Sequence, residues 1–171
     1  MKNKLRSALW IALLLSPLMA CGTNQLEAEV SLEGTAVKLA RETIEGQYGL
    51  VTAVELKAEL DEGKALILVD AMPLEASYNK GHLPGAKQFL FPIETMSPWD
   101  EELTAGKSQA DYVALLGEDK QASIVVYCGF TKCARSHNAA VWALGSGYTN
   151  VRRFAGGINA WKGAGYALET E

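Results

Sequence analysis

Four short segments from residue 65 onward have the length of a strand: Ala65–Val69, Lys87–Phe91, Ser123–Tyr127 and Asn150–Phe154. Ala65–Val69 is an unbroken apolar run. A strand that is covered on both faces reads as a continuous apolar run, whereas a half-exposed strand alternates with polar residues. Ser123–Tyr127, with Ile, Val and Val in succession, is the strongest candidate for a central strand.

Segments with helical spacing lie between these runs. Thr52 starts one of them, and Glu55 three residues later completes a capping box, with Val54, Leu56 and Leu60 on one face. The other predicted helices are a segment from Thr35 to Gly46, Ala110–Leu116, Ser136–Leu144 and one that starts at Ile158–Trp161. The alternation predicts an α/β fold, an open parallel sheet with helices on both faces. Sites in such sheets form where a strand ends and a helix begins.

The first 20 residues have the features of a secretory signal peptide. Three basic residues, Lys2, Lys4 and Arg6, precede the apolar run Ala8–Leu15 and a small-residue cleavage region. This run is too short to cross a bilayer as a helix, which needs about 20 residues. We therefore expect residues 1–20 to be removed.

The cleavage region Leu18-Met19-Ala20-Cys21 resembles a bacterial lipobox. The resemblance implies that Cys21 is lipidated and anchors the protein in the cell envelope, facing the periplasm. Gly22, where an Asp would favour the inner membrane, favours the outer membrane. We expect a tether over residues 21–34, an N-terminal helix over 35–49 and one domain over 50–168.

Charge narrows the range of partners. The whole chain has a net charge of −4 with 16 basic and 20 acidic residues, and removal of residues 1–20 takes away three basic and no acidic residues. The remainder would have a net charge of −7, which argues against nucleic acid as a partner. The only thiols besides Cys21 are Cys128 and Cys133.

The loop after Ser123–Tyr127 carries the candidate chemistry. Cys128 follows the strand and precedes the helix at Ser136, where unpaired backbone N–H groups and the helix dipole stabilise an anion. We expect this ring of donors to lower the pKa of Cys128 and make it a nucleophile. Lys132 and Arg135 add positive charge, and Ser136 is expected to cap the helix and to donate to the sulfur. The predicted substrate-binding residues are Gly129, Phe130, Thr131, Lys132, Ala134, Arg135 and Ser136.

Several motifs in a fixed order resemble those of rhodanese domains. They are Val69-Asp70, Gly81-His82-Leu83-Pro84-Gly85-Ala86, Cys128 with Arg135-Ser136, and Gly147-Tyr148 with Gly156-Gly157, Ala160-Trp161 and Ala164-Gly165-Tyr166. The resemblance covers residues 50–168. It implies a five-stranded sheet and a sulfurtransferase that works through a persulfide on Cys128. The sulfur would come from thiosulfate or polysulfide and pass to a thiol or cyanide.

The chain departs from that pattern in two places. Six residues separate Cys128 from Arg135, whereas the family usually has four and phosphatases of this fold have five. The longer loop predicts a wider cradle for an anion. Met72 stands where many members of the family have Arg, which removes a charge near the site.

Cys133 has no counterpart in an ordinary member of the family. It can resolve a persulfide on Cys128 by forming a disulfide, act as a second sulfur carrier, or be a bystander. The sequence does not choose among these. No metal or other cofactor is expected, because Cys128, Cys133 and His137 lack a fourth ligand.

Four further residues have structural interpretations. We expect His82 to hold backbone groups of its turn and Asp70, by the resemblance, to stabilise the domain. Gly156-Gly157 is expected to be a turn with positive φ before a helix. Trp99 either covers the mouth of the site or anchors the loop of residues 92–108.

Other functions remain open at this stage. A binding or carrier module for sulfur, selenium or tellurium species would use the same loop without turnover. A disulfide or oxyanion reductase would use Cys128 together with Cys133. A phosphatase is disfavoured by the loop length and by Tyr127, which precedes the cysteine where a histidine would be expected.

Overall fold

The computed structural model describes residues 20–171, with side chains from residue 24 onward. The predicted signal peptide thus falls almost wholly outside the described residues, and the side chain of Cys21 does too. The chain divides into a segment that ends at Gly34 and a compact unit over Thr35–Glu171. The compact unit contains the sheet and the candidate site.

Helix α1 spans Ala20–Gly46. The helix ends at Gly46, as the pattern predicts, and thus before the expected bound at residue 49. It begins before the expected start at Thr35, and the segment expected to be a tether, residues 21–34, is helical. Two leucines and three glutamates in this stretch have high helix propensity, and an interior glycine such as Gly34 costs only about 1 kcal/mol. No helix over residues 20–171 is both long and apolar enough to cross a membrane.

Five parallel strands form one sheet in the order β1-β5-β4-β2-β3, which confirms the predicted parallel sheet. The strands are β1 Gly49–Val51, β2 Ile67–Asp70, β3 Lys87–Gln88, β4 Ile124–Tyr127 and β5 Val151–Phe154. Strand β1 was not predicted, because three residues are too few to show a period. Strand β3 is shorter than expected. Strand β4 lies in the centre, as its apolar run predicts.

Four helices follow in the compact unit: α2 Ala53–Asp61, α3 Gln109–Leu116, α4 Arg135–Gly145 and α5 Gly157–Gly163. The predicted capping box at α2 is confirmed, with the Glu55 N–H donating to Thr52 Oγ1 and the Thr52 N–H to the Glu55 carboxylate. Val54 is an exception to the predicted apolar face of α2, because it is largely exposed while Leu56 is buried.

Two apolar clusters pack against the sheet, one on each face. Ile124, Val126 and Cys128 belong to one cluster, and Val125 and Tyr127 belong to the other. All five side chains are fully buried. Each large apolar side chain contributes about 1.5–3 kcal/mol when fully buried, so β4 is firmly anchored. The alternation along β4 continues into Cys128 and directs its side chain to the face that α4 covers.

Candidate active site

Strand β4 places Cys128 at the carboxyl edge of the sheet. Tyr127, the last residue of β4, pairs with Asp70 of β2 on one side and with Phe154 of β5 on the other. The backbone of Cys128 is then held by α5, since the Ile158 N–H donates to the Cys128 carbonyl at 2.9 Å. The nucleophile predicted from the sequence therefore lies where three strands end together.

Gly157 makes this approach of α5 possible. Its φ of +56° confirms the predicted turn with positive φ, and a Cβ at this position would lie 2.1 Å from the Cys128 carbonyl oxygen. Any side chain would therefore collide with the backbone that carries the sulfur. Gly156 is restricted as well, since a Cβ there would lie 2.5 Å from the Cβ of Ala160.

The loop after Cys128 turns tightly before α4 begins at Arg135. The Cys133 N–H donates to the Phe130 carbonyl at 2.9 Å, and Phe130 and Lys132 are exposed on the turn. Ala134 occupies the N-cap without a side-chain hydrogen bond. Ser136 is therefore not the helix cap, which corrects the prediction, because it lies inside α4 as its second residue.

Cys128 is surrounded largely by acceptors. Its Sγ lies 3.3 Å from the Cys133 carbonyl oxygen, 4.0 Å from that of Phe130 and 3.2 Å from Ser136 Oγ. Ser136 also donates its backbone N–H to this sulfur. The hydrogen bond to Cys133 and complete burial raise the pKa of the Cys128 thiol well above its ordinary value, so Cys128 is held as a neutral S–H donor.

The sulfur of Cys133 accepts the kind of backbone N–H hydrogen bonds that the sequence pattern predicted for Cys128. Its sulfur accepts hydrogen bonds from the Cys128 thiol and from the backbone N–H groups of Arg135 and Gly129. The Cys128 bond, those amides and the charge of Arg135 outweigh burial and hold the pKa of Cys133 at about 6. The prediction of a lowered pKa at Cys128 is therefore wrong. The geometry favours the first thiolate on Cys133, because its sulfur accepts from two backbone N–H groups and from the Cys128 thiol.

Arg153 organises the loop, and the sequence interpretation missed it. This residue of β5 is completely buried. Its guanidinium donates to Ser136 Oγ at 2.8 Å, to the Cys133 carbonyl at 2.8 Å and to the Thr131 carbonyl at 3.3 Å. Two successive arginines, Arg152 and Arg153, in a strand of a covered sheet were the available signal, because their side chains point to opposite faces and a buried charge requires partners.

The partner of Arg153 comes from α1. Glu42 Oε2 accepts from Arg153 Nη1 at 2.6 Å, and Lys38 bonds Glu42 at 2.6 Å and the Lys132 carbonyl at 3.1 Å. Burial opposes the charge of Glu42, but Lys38 and Arg153 outweigh it and lower its pKa. The C-terminal part of α1 therefore contributes two charged residues to the hydrogen-bond network that holds the cysteine loop.

Tyr48 completes this buried network. Its hydroxyl lies 2.9 Å from His137 Nδ1 and 3.2 Å from Arg153 Nη1. Burial lowers the pKa of His137, which keeps the imidazole neutral near pH 7. His137 thus contributes a hydrogen bond to the buried network and does not add positive charge to the loop.

Arg135 adds positive charge beside Cys133, as predicted, and also holds the long loop. Its guanidinium donates to the Phe91 carbonyl, and Asn138 on the next turn donates to the Pro92 and Glu94 carbonyls at 2.9 and 2.7 Å. Both residues tie the start of the long loop to α4. Met72 lies on the other side of the site, where its Cε is 3.7 Å from the position of a Cβ on Gly129. An apolar side chain therefore stands next to the cysteine loop.

Trp99 and His82 support the fold. The Trp99 indole donates to the Lys107 carbonyl at 3.1 Å and packs on Phe91 and Trp142, which settles its role as an anchor of the long loop. His82 stacks on Tyr78 and its Nδ1 lies 3.0 Å from the Tyr78 carbonyl. The prediction that His82 holds backbone groups is confirmed.

Comparisons with known proteins agree with this architecture. The model of the rhodanese-like domain matches residues 52–164. Two curated relatives, from two strains of Mycobacterium tuberculosis and both named "Putative thiosulfate sulfurtransferase SseB", are 30% identical over 134 residues, which are 71% of this chain and 46% of theirs. The chain thus spans about half the length of the curated relatives it matches.

Solved structures show the same fold. The rhodanese-like domain of the Alr3790 protein from Anabaena sp. is 27% identical, with a TM-score of 0.52 over 71% of this chain and 79% of that one. Thiosulfate sulfurtransferase from Pseudomonas aeruginosa is 20% identical, with a TM-score of 0.57 over 80% of this chain and 23% of that one. Since the family model covers most of the chain and the five-stranded parallel sheet carries Cys128 at its carboxyl edge, this protein belongs to the rhodanese-like domain family.

Proposed function

We propose that this protein is a cell-envelope sulfurtransferase that carries sulfane sulfur as a persulfide on Cys128. The observation that carries the proposal is the place of Cys128, at the carboxyl end of the central strand and in contact with Ser136 and a second thiol. Membership in the rhodanese-like family and the name of the Mycobacterium tuberculosis relatives support the reaction class.

The first step is transfer of the outer sulfur of an anionic donor. With thiosulfate, the Cys128 thiolate attacks the sulfane sulfur, the S–S bond of the donor breaks, and sulfite leaves with the bonding electrons. Lys132 on the exposed turn contributes positive charge for the anion.

The second step returns the sulfur to an acceptor. A thiol or cyanide attacks the outer sulfur of the persulfide, and Cys128 leaves as a thiolate. The hydroxyl and the N–H of Ser136 are placed to stabilise that thiolate. Polysulfide and related selenium or tellurium species are further candidate donors, because their chain ends are also soft anions.

Intact mass spectrometry of the reduced full chain in detergent tests the reaction. We expect thiosulfate or polysulfide to add the mass of one sulfur to a Cys133→Ser variant, and we expect no addition to a Cys128→Ser variant. Persulfide on Cys128→Ser alone would move the nucleophile to Cys133. No addition to any variant with either donor would contradict the proposal.

We further propose that lipid on Cys21 anchors the protein to the outer membrane, facing the periplasm. The lipobox-like sequence before Cys21 supports this. Metabolic labelling with a fatty-acid probe, followed by fractionation, tests it. We expect label on the wild type and none on Cys21→Ala, whereas equal labelling of both would contradict the anchor.

A further inference from the structure

Two thiols share one buried site at the start of α4. Both are free, both are buried, and the Cys128 thiol donates a hydrogen bond to the sulfur of Cys133. Because the two thiols are hydrogen-bonded partners, a disulfide bond of about 2.05 Å requires only a local approach of the two side chains. Sequence alone left Cys133 as a resolving thiol, a carrier or a bystander.

The polar groups around the pair are distributed unequally. The sulfur of Cys133 accepts from the backbone N–H groups of Gly129 and Arg135. The sulfur of Cys128 has the hydroxyl and N–H of Ser136 beside it, but it also faces the carbonyls of Phe130 and Cys133. A thiolate is stabilised by N–H donors and destabilised by carbonyl oxygens. These surroundings therefore favour a thiolate at Cys133, and a neutral thiol or a protonated persulfide at Cys128.

We propose that Cys133 resolves the Cys128 persulfide, so that the protein releases hydrosulfide and passes through a Cys128–Cys133 disulfide. This step rests on the proposed function, since it needs the persulfide. The Cys133 thiolate attacks the inner sulfur of the protonated persulfide, the new S–S bond forms, and the outer sulfur leaves as hydrosulfide with its proton and the electron pair of the broken bond. Both cysteine sulfurs are oxidised in total by two electrons and the sulfane sulfur is reduced by two.

The identity of the leaving group favours this outcome over transfer of the outer sulfur from Cys128 to Cys133. Attack on the outer sulfur would expel a Cys128 thiolate, which is buried and faces two carbonyls as well as the hydroxyl and N–H of Ser136; the net effect of this environment raises the pKa of Cys128. Attack on the inner sulfur expels hydrosulfide, a small and weaker base. Thiol–disulfide exchange is faster when the departing group has the lower pKa, so resolution is favoured.

The buried frame keeps the two sulfurs in place for this step. The Arg153 guanidinium donates both to the Cys133 carbonyl and to Ser136 Oγ, and the Cys133 N–H donates to the Phe130 carbonyl. The loop that carries Cys133 is thus fixed at both sides of the residue. The disulfide must then be reduced by an external dithiol before a second turnover.

A single turnover without oxygen and without added reductant tests the proposal. Reduced full-length protein in detergent receives one equivalent of thiosulfate, after which sulfite, sulfide and the intact mass are measured. We expect the wild type to release one sulfite and one sulfide per chain and to lose the mass of two hydrogens. Addition of a dithiol should restore the starting mass.

The variants separate the two proposals. We expect Cys133→Ser to release sulfite without sulfide and to keep the mass of one extra sulfur, with Cys133→Ala as a second variant of the same position. A wild type that keeps the extra sulfur as stably as Cys133→Ser would overturn resolution and leave the sulfurtransferase intact. No sulfite and no sulfur addition on either Cys133 variant, with the fold intact by circular dichroism, would overturn the sulfurtransferase and the resolution step with it.

Discussion

Arg153 in the middle of β5 and Glu42 on α1 form a buried ion pair with an N···O distance of 2.6 Å. The same guanidinium holds the loop through the carbonyls of Thr131 and Cys133. Glu42 lies outside the stretch that the family model matches, residues 52–164. The preceding helix therefore supplies the countercharge for the residue that shapes the cysteine loop.

Removal of the Glu42 carboxylate should destabilise the folded protein. We expect Glu42→Gln to lower the free energy of unfolding at pH 7 by roughly 3 kcal/mol, because Arg153 remains buried with an incomplete set of partners. Urea denaturation measures this, and Glu45→Gln, an exposed glutamate on the same helix, is the matched control. Since the pKa of Glu42 is lowered in the folded protein, its contribution is present above about pH 4 and is lost as the pH falls further. Equal stability of the two variants at pH 7 would contradict this role.

Gly157 should not tolerate a side chain. We expect Gly157→Ala to reduce persulfide formation and to destabilise the fold by roughly 2–4 kcal/mol, because its Cβ would collide with the Cys128 carbonyl. Gly163→Ala in the same helix is the control, since nothing lies within 4 Å of that Cβ and its effect should stay within about 1 kcal/mol. Thermal unfolding compares them. Similar melting temperatures for both variants would show that α5 moves away without penalty.

The thiols should differ in their reaction with an alkylating agent. We expect iodoacetamide to modify Cys133 first, with a rate that rises with pH through a midpoint near 6, while Cys128 stays unmodified. Peptide mapping by mass spectrometry locates the label. Cys128→Ala removes the thiol donor, and the midpoint of Cys133 should then move upward. Preferential labelling of Cys128 in the wild type would reverse our assignment of the thiolate.

Asp70 should shape the dependence of stability on pH. Burial raises its pKa to about 6, so the folded state binds a proton more tightly than the unfolded chain does. Its contribution is most favourable below about pH 4 and is lost as the pH rises to about 6, by roughly 2–3 kcal/mol. We expect Asp70→Asn to remove this loss, so that the stability of the variant relative to wild type increases between pH 4 and pH 6.

The exposed Asp61 provides the comparison for that experiment. Asp61→Asn changes the same chemical group on the surface of α2 and should leave the pH profile nearly unchanged. Chemical denaturation at intervals of half a pH unit measures both variants. A parallel profile for Asp70→Asn and the wild type would mean that the carboxyl titrates normally in the folded protein.

Local and periodic features of the fold could be predicted from the sequence. The unbroken run at β4 determined a buried parallel strand, and the Thr52 capping box determined the start of α2, because both depend on residues within a few positions of each other. The position of Cys128 after that strand followed directly. The start of α1 was misjudged, because polar residues 22–34 carry no apolar stripe although their helix propensity is high.

The electrostatics of the site could be decided only by the tertiary structure. Arg153 meets Glu42 across 111 positions of sequence, and the register of β5 beside β4 places its guanidinium under the loop. Which sulfur accepts hydrogen bonds from the backbone N–H groups depends on the path of the six residues between Cys128 and Arg135. The sequence by itself determined that a cysteine stands where the central strand ends, since strand and helix patterns are local. Only the folded chain decided that Cys133 carries the negative charge, because hydrogen bonds and burial are properties of groups that are brought together from distant segments.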